Sequence, residues 1–548
     1  MSTFSSLPGE LYDAIVQQIP DEDHQQSILA LTRALPRAPI PQKRLFECIY
    51  IRYPRQAVSL NRRLRQKAGD ERNPAGSWVQ RLYIQDWSVD ADVVLNTIAL
   101  LPNLQSLCLW IGPNNFAPEH LEELFAKPFG DLRYLSLRFR PYVQKANYYQ
   151  FLKGAYFDST LLALARWPPG RMPCLSIVQD PIDSTMTFAS RQSFAQPLVF
   201  FKMDPNMAIM LQSPAMVDSL KSLRLRIPGR PMVRSLCLPS AAQVNSDGEV
   251  PQVPALELLD LSTCGVLEGE VDMILAQFST LKHLLLDECP ILRGELREGE
   301  WSAMGKRCAL VGVRRARERE KIIKAAMETI ALAVQLEQLA LDGEPAQLPP
   351  PRRARRGRRG VAISTISLRA PSPPRGLDAL RARIAKSSAG NQRGRNTAIQ
   401  RTRLLPPLPS LRTLCTTVSS SVKPESYPAI RSEFEAGWAE GIAVLAVTRA
   451  RLRDSAKNGV STIVRFTEEA PFHGTSSSGS GSESGTLDAP YSNVMHGLEK
   501  VDKNDAEAFS MPAETAVSVP ILCFAGPKGV VDHAPGCGHS VAQSIWRD

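Results

Sequence analysis

The chain carries Leu104-Gln105-Ser106-Leu107-Cys108-Leu109, and 28 positions further on it carries Leu132-Arg133-Tyr134-Leu135-Ser136-Leu137. The last two leucines of each string are two residues apart, so in an extended segment they point to the same side, while the first stands at the entrance to the strand. The pattern returns as Leu220-Leu223-Leu225, Leu256-Leu259-Leu261, Leu281-Leu284-Leu286 and Leu336-Leu339-Leu341. Val79-Leu82-Ile84 is a conservative earlier copy and Leu411-Leu414 a degraded later one. A strand this short cannot bury its apolar face alone, so the copies are expected to stack into one continuous core.

Intervals of 25 (Val79 to Leu104), 28 (Leu104 to Leu132) and 25 (Leu256 to Leu281) resemble those of a leucine-rich repeat. Two later intervals are longer, 55 from Leu281 to Leu336 and 75 from Leu336 to Leu411. The second contains Pro351 to Arg403, with 14 Arg, one Lys and the single acid Asp378, and removing those 53 residues leaves 22. This segment therefore reads as a looped-out insertion, because Arg352 to Arg359 and the Pro, Gly and Ser around it cannot contribute a core. Residues 293–325, dense in charge, read as a second, helix-like intrusion.

At 548 residues the chain exceeds the size of one small domain, and 43% hydrophobic with 22% charged residues exclude a wholly disordered protein. The net charge of +10 is local: the Arg-rich insert carries +14, which leaves −4 for the remainder. No uncharged apolar run has the length of a membrane helix, and Met1 to Pro8 lacks the basic and apolar regions of a signal peptide, so a cytoplasmic or nuclear protein without a membrane partner is expected. The ten cysteines are scattered without a Cys-x-x-Cys pair and read as reduced thiols.

The first 66 residues have a different pattern. Leu7, Leu11, Ile15 and Ile19 recur every four residues up to Pro20, a second helix is expected from Asp23 to Leu35, and Gln42 to Tyr53 holds Leu45, Phe46, Ile49 and Ile51. Leu7-Pro8-x-Glu10-Leu11, Ile15, Ile19-Pro20, Leu29-Ala30-Leu31-Thr32-Arg33 and Leu45-Phe46 resemble an F-box. The resemblance implies a three-helix hook that docks on the Skp-type linker subunit of a cullin-RING ubiquitin ligase through Leu7, Pro8, Leu11, Ile15 and Ile19. It also implies that the repeats hold a target protein. The middle departs from the family, since Arg33-Ala34-Leu35-Pro36 stands where small and aromatic residues usually lead to a Trp.

Residues alternating with the inward leucines are expected on the concave face of such a solenoid. Those expected to meet the target are Trp110, Tyr134, Arg138, Arg224, Arg226, Asp260, His283, Asp287 and Asp342, with Gln338 beside them. Basic groups precede acidic ones, which implies a partner with a complementary charge gradient.

Motifs for catalysis are lacking: there is no Gly-x-Ser-x-Gly, His-Glu-x-x-His or phosphate loop, so no catalytic residue and no enzyme is expected. Cys523, His533, Cys537 and His539 are residue types that suit zinc, but their spacing matches no common finger and they lie in a Gly/Pro-rich tail; no metal and no cofactor is expected. The rival function is a plain repeat scaffold, or weak, salt-sensitive RNA or other nucleic-acid contact by the Arg-rich insert, which has no interleaved aromatics for base stacking. A nuclear-import signal fits Arg352 to Arg359 equally well. The sequence thus predicts an α/β chain divided into an F-box-like module at 1–66, a leucine-rich-repeat solenoid at 67–350, the insert at 351–403, a last repeat with its capping unit at 404–470, and a disordered tail at 471–548. The capping unit is a helix over Ser432 to Lys457 and a strand over Val460 to Phe466.

Overall fold

A computed structural model of the chain describes residues 7–20, 23–66, 75–112, 115–140, 143–145, 158–170, 172–181, 195–197, 206–237, 252–289, 299–341, 401–417, 422–467, 495, 497–502, 504–509, 517–524 and 533–546. Its main element is a ten-stranded sheet: β1 (Cys48–Ile51), β2 (Arg81–Ile84), β3 (Ser106–Ile111), β4 (Tyr134–Phe139), β5 (Cys174–Gln179), β6 (Ser222–Arg226), β7 (Leu258–Asp260), β8 (His283–Leu286), β9 (Thr413–Thr416) and β10 (Ile521–Cys523). The strands lie side by side in chain order and every pairing is parallel. Parallel neighbours need crossovers, and helices such as Ala91–Ile98, Pro118–Phe125, Asp158–Ala165 and Glu268–Gln277 supply them.

The leucine strings set the register. Leu82, Leu107, Leu135, Leu175, Leu223, Leu259, Leu284, Leu414 and Leu522 stand opposite one another across successive strands. All are buried in one core with Val94, Ile98, Leu121, Phe125, Leu161, Met210 and Ile274 from the helices. A slip of one residue would expose the whole row, so the pattern itself holds the strands in place.

Three strands of this sheet were not expected. β1 lies inside the segment assigned to the helical module, because Cys48-Ile49-Tyr50-Ile51 is β-branched and aromatic and follows a helix of six residues, Gln42–Glu47. β5 follows the degenerate string Met172-Pro173-Cys174-Leu175-Ser176-Ile177, in which Met replaces the first Leu. β10 falls in the tail that was expected to be disordered; Leu522 completes the core row there and corrects that expectation for the described tail residues.

Leu336-Leu339-Leu341 is no repeat. It ends the helix Val311–Leu341, whose last turns are built from Ala, Leu, Gln and Glu, all strong helix formers with no turn residue ahead of them. The neighbouring helix Glu300–Ala309 crosses the helix Tyr427–Lys457 so closely that a Cβ on Gly437 would overlap the Ser302 carbonyl and one on Gly441 would lie 2.6 Å from the Ala309 Cβ. The charge-rich segment expected as an intrusion thus contributes Trp301, Met304 and Cys308 to the main core. A second, three-stranded sheet joins Arg401–Leu404, Ser461–Phe466 and Leu498–Lys500, so the Arg-rich insert gives way to a strand at Arg401 and not after Arg403. Residues 351–400, which hold most of that insert, lie outside the described residues.

At the amino-terminal end, helices Gly9–Gln17, His24–Ala34 and Gln42–Glu47 enclose a small core of Tyr12, Val16, Ile28 and Ile40. Arg44 Nε donates to Asp13 at 2.6 Å and ties the third helix to the first. Among the described residues, no helix is long and apolar enough to cross a membrane.

Candidate functional site

Residues alternating with the buried leucines form the other face of the sheet, which the crossover helices do not cover. Its first strands are aromatic. Tyr50 stacks on Tyr83 with ring centres 4.7 Å apart, Trp87 lies 4.8 Å from Trp110, and the Arg138 guanidinium sits 4.9 Å from the Trp110 ring centre. Arg138 also pairs with Asp180 at 2.8 Å. Trp87, Trp110 and Arg138 remain half-exposed.

The middle strands carry charge. Asp260 is fully buried on β7, with its carboxylate 2.7 Å from Arg226 Nη2 and 3.5 Å from Arg224 Nε, both on the adjacent β6. Burial raises the Asp260 pKa, but the two guanidinium groups and the hydrogen bonds from Arg226 and Ser262 outweigh it and hold the carboxyl below its ordinary value. Burial brings Arg224 down to about 10 in spite of Asp260, and the group is still a cation at neutral pH.

The last strands are covered by the chain itself. Helix Gly538–Ile545 and Trp546 pack on this face with Tyr134, Leu258, Leu285, Cys415 and Cys523. Gly538 permits the approach, because a Cβ there would stand 2.7 Å from Thr413 Oγ1 and 2.9 Å from Cys415 Sγ. Trp546 lies over Arg224, 4.8 Å from its guanidinium, and 6.4 Å from the Tyr134 ring. His539 Nε2 is 2.8 Å from Asp287 Oδ2 and its Nδ1 is 3.3 Å from Cys523 Sγ. Burial disfavours charge on His539, yet its contacts with Asp287 and Cys523 prevail and carry its pKa up to about 10.

The expected partner-facing residues therefore separate into two groups. Trp110, Arg138 and Arg226 keep some access, and His283, on one of the covered strands, is half-buried with its Nδ1 2.9 Å from Thr413 Oγ1. Tyr134, Arg224, Asp260 and Asp287 are buried, and the acidic end of the expected charge gradient is consumed by Arg224, Arg226 and His539. Gln338 belongs to a helix and not to the sheet, and Asp342 lies outside the described residues. In the amino-terminal module Leu11 and Ile15 are exposed, at 46% and 38%, Pro8 is exposed, and Leu7 and Ile19 are half-buried, with Leu7 packed on the module's core.

A second arrangement was set aside from its spacing and its place in a Gly/Pro-rich tail. Cys523, His533, Cys537 and His539 each offer one ligand atom, and all four atoms lie within 4.8 Å of one another. The fold supplies what the spacing hid: β10 delivers Cys523, the segment before the last described helix returns His533 and Cys537, and the first turn of that helix carries His539. The signal available in the sequence was the residue set itself, two thiols and two imidazoles inside 17 positions.

No protein-family model matches the chain, and neither does any curated protein.

Proposed function

We propose that the chain is a non-catalytic substrate-recognition adaptor of a cullin-RING ubiquitin ligase, with the amino-terminal module docking as an F-box on the Skp-type linker subunit and the sheet acting as a leucine-rich-repeat solenoid that binds the target protein. One observation carries the reading. The first helix is divided, with Tyr12 and Val16 fully buried in the module and Leu11 and Ile15 turned outward. These two outward positions, one helical turn apart on the same face, belong to the set that the F-box resemblance assigns to the linker subunit, and Leu29 on the second helix is exposed as well.

The solenoid reading rests on the in-order parallel strands with one leucine row facing the crossover helices. On that reading the target meets the uncovered, amino-terminal half of the face, where Trp87, Trp110 and Arg138 present aromatic surface and positive charge. Aromatic residues and Arg are the side chains that most often dominate binding energy at protein interfaces.

Co-purification with the linker subunit tests the proposal. Leu11→Asp and Ile15→Asp alter exposed positions, so both variants should fold, and each should lose the linker. Retention of the linker by both would remove the adaptor function and leave a repeat scaffold.

A further inference from the structure

We propose that Cys523, His533, Cys537 and His539 form a zinc site that fastens the carboxy-terminal helix across the open face of the sheet. Two thiolates and two imidazoles are a ligand set that zinc takes in closed, tetrahedral, structural sites. With Zn–S near 2.3 Å and Zn–N near 2.0–2.1 Å, tetrahedral angles place neighbouring ligand atoms roughly 3.4–3.8 Å apart. His539 Nδ1 and His533 Nδ1 already stand 3.3 and 3.7 Å from Cys523 Sγ. The widest separation in the group, within 4.8 Å, needs a contraction of at most about 1.4 Å when an ion is bound.

The surroundings fit a structural ion. Cys523, Cys537 and His539 are buried and His533 is half-buried. His539 directs Nδ1 to the cluster and Nε2 to the Asp287 carboxylate, the carboxylate–histidine arrangement that fixes the orientation of a zinc-bound imidazole. Binding the ion releases the thiol protons of Cys523 and Cys537 and the proton shared at His539 Nδ1 to solvent. The products are two thiolates, two neutral imidazoles and a site of zero net charge, which suits burial. Cys415, opposite Cys523 in the strand register, packs in the same buried cluster as Cys523 and Cys537.

The consequence is mechanical. A strand of the sheet, through Cys523, and the segment that covers it, through His533, Cys537 and His539, share one ion, so the metal decides whether the last strands are covered.

The test uses the full chain, purified under reducing conditions, loaded with zinc or with cobalt as a spectroscopic probe, and dialysed. One ion per chain is expected, with the visible d–d bands of tetrahedral cobalt and thiolate-to-cobalt charge transfer. His533→Ala, at the most exposed ligand, should fold and weaken zinc binding at least about 100-fold, and Cys537→Ser should do the same. Cys174→Ser should bind as the wild type does. Removing the metal should speed amide exchange in Gly538–Ile545 while the leucine strands stay protected. A folded, reduced chain that retains neither ion, an octahedral cobalt spectrum, or equal binding by wild type and His533→Ala would each overturn the site.

Discussion

The guanidinium of Arg224 lies 4.8 Å from the ring centre of Trp546, so the centre of the sheet is in contact with the last residues of the described chain. Arg224 is simultaneously paired with Asp260, and the stack completes a layered cluster in which a carboxylate, a cation and an indole succeed one another away from the strands. A buried cation over an indole contributes about 1–2 kcal/mol. Trp546→Ala should therefore raise the amide exchange rate of the helix Gly538–Ile545 about five- to thirtyfold, while the exchange of β3 and β4 is unchanged. Hydrogen exchange resolved by mass spectrometry measures both.

Asp260 is the counter-charge for two arginines. Replacing it by Asn leaves Arg224 and Arg226 without their carboxylate at a buried position, and breaking such a pair costs about 3–5 kcal/mol. Urea unfolding of Asp260→Asn should show that loss, and a change within about 0.5 kcal/mol would mean that the cluster is solvated.

The same carboxylate sets an acid limit. Its pKa in the folded chain is lowered below the ordinary value, so its contribution to stability is fully present above the unfolded-state pKa of about 3.9 and disappears as the pH falls through the folded-state value. Wild type should lose stability more steeply than Asp260→Asn below about pH 4, as read from urea midpoints across that range.

The helix crossing provides a contrast between two glycines. Gly437→Ala forces a methyl group into the Ser302 carbonyl and should separate the helices Glu300–Ala309 and Tyr427–Lys457, lowering stability by about 1–3 kcal/mol. Gly269→Ala stands in a helix with no atom within 4 Å of the added carbon and should raise stability by about 0.5–1 kcal/mol. Thermal unfolding of the pair distinguishes close packing from a general effect of glycine replacement.

The leucine strings made the centre of the fold legible, because a residue at Leu107 or Leu135 can satisfy its burial only beside another strand of the same pattern. The expected strands at Val79, Leu104, Leu132, Leu220, Leu256, Leu281 and Leu411 all enter the sheet. The string at Leu336 misled because the same spacing also fits a helix, and the Ala, Gln and Glu around it decide for the helix. β10 was hidden because Ile521-Leu522-Cys523 is too short to carry a pattern and gains its place only from β9. Alternation placed Trp110, Tyr134, Arg138, Arg224, Arg226, Asp260 and His283 on strands of the sheet but misplaced Gln338, which lies in a helix, and alternation says nothing about what covers such residues. Trp546 and His539 reach Arg224 and Asp287 through the return of the chain, a long-range event that no local period records. The division of Leu11 and Ile15 from Tyr12 and Val16 was likewise only partly visible, since the four-residue recurrence named Leu11 and Ile15 but not the buried partners beneath them.

The most direct measurement of the adaptor reading is amide hydrogen exchange on the full chain, alone and with the purified Skp-type linker subunit. Docking through Leu11 and Ile15 predicts added protection in Gly9–Gln17 with β3 and β4 unchanged, since the target face stays free. Protection confined to the strands, or none anywhere in the amino-terminal module at saturating linker, would contradict it.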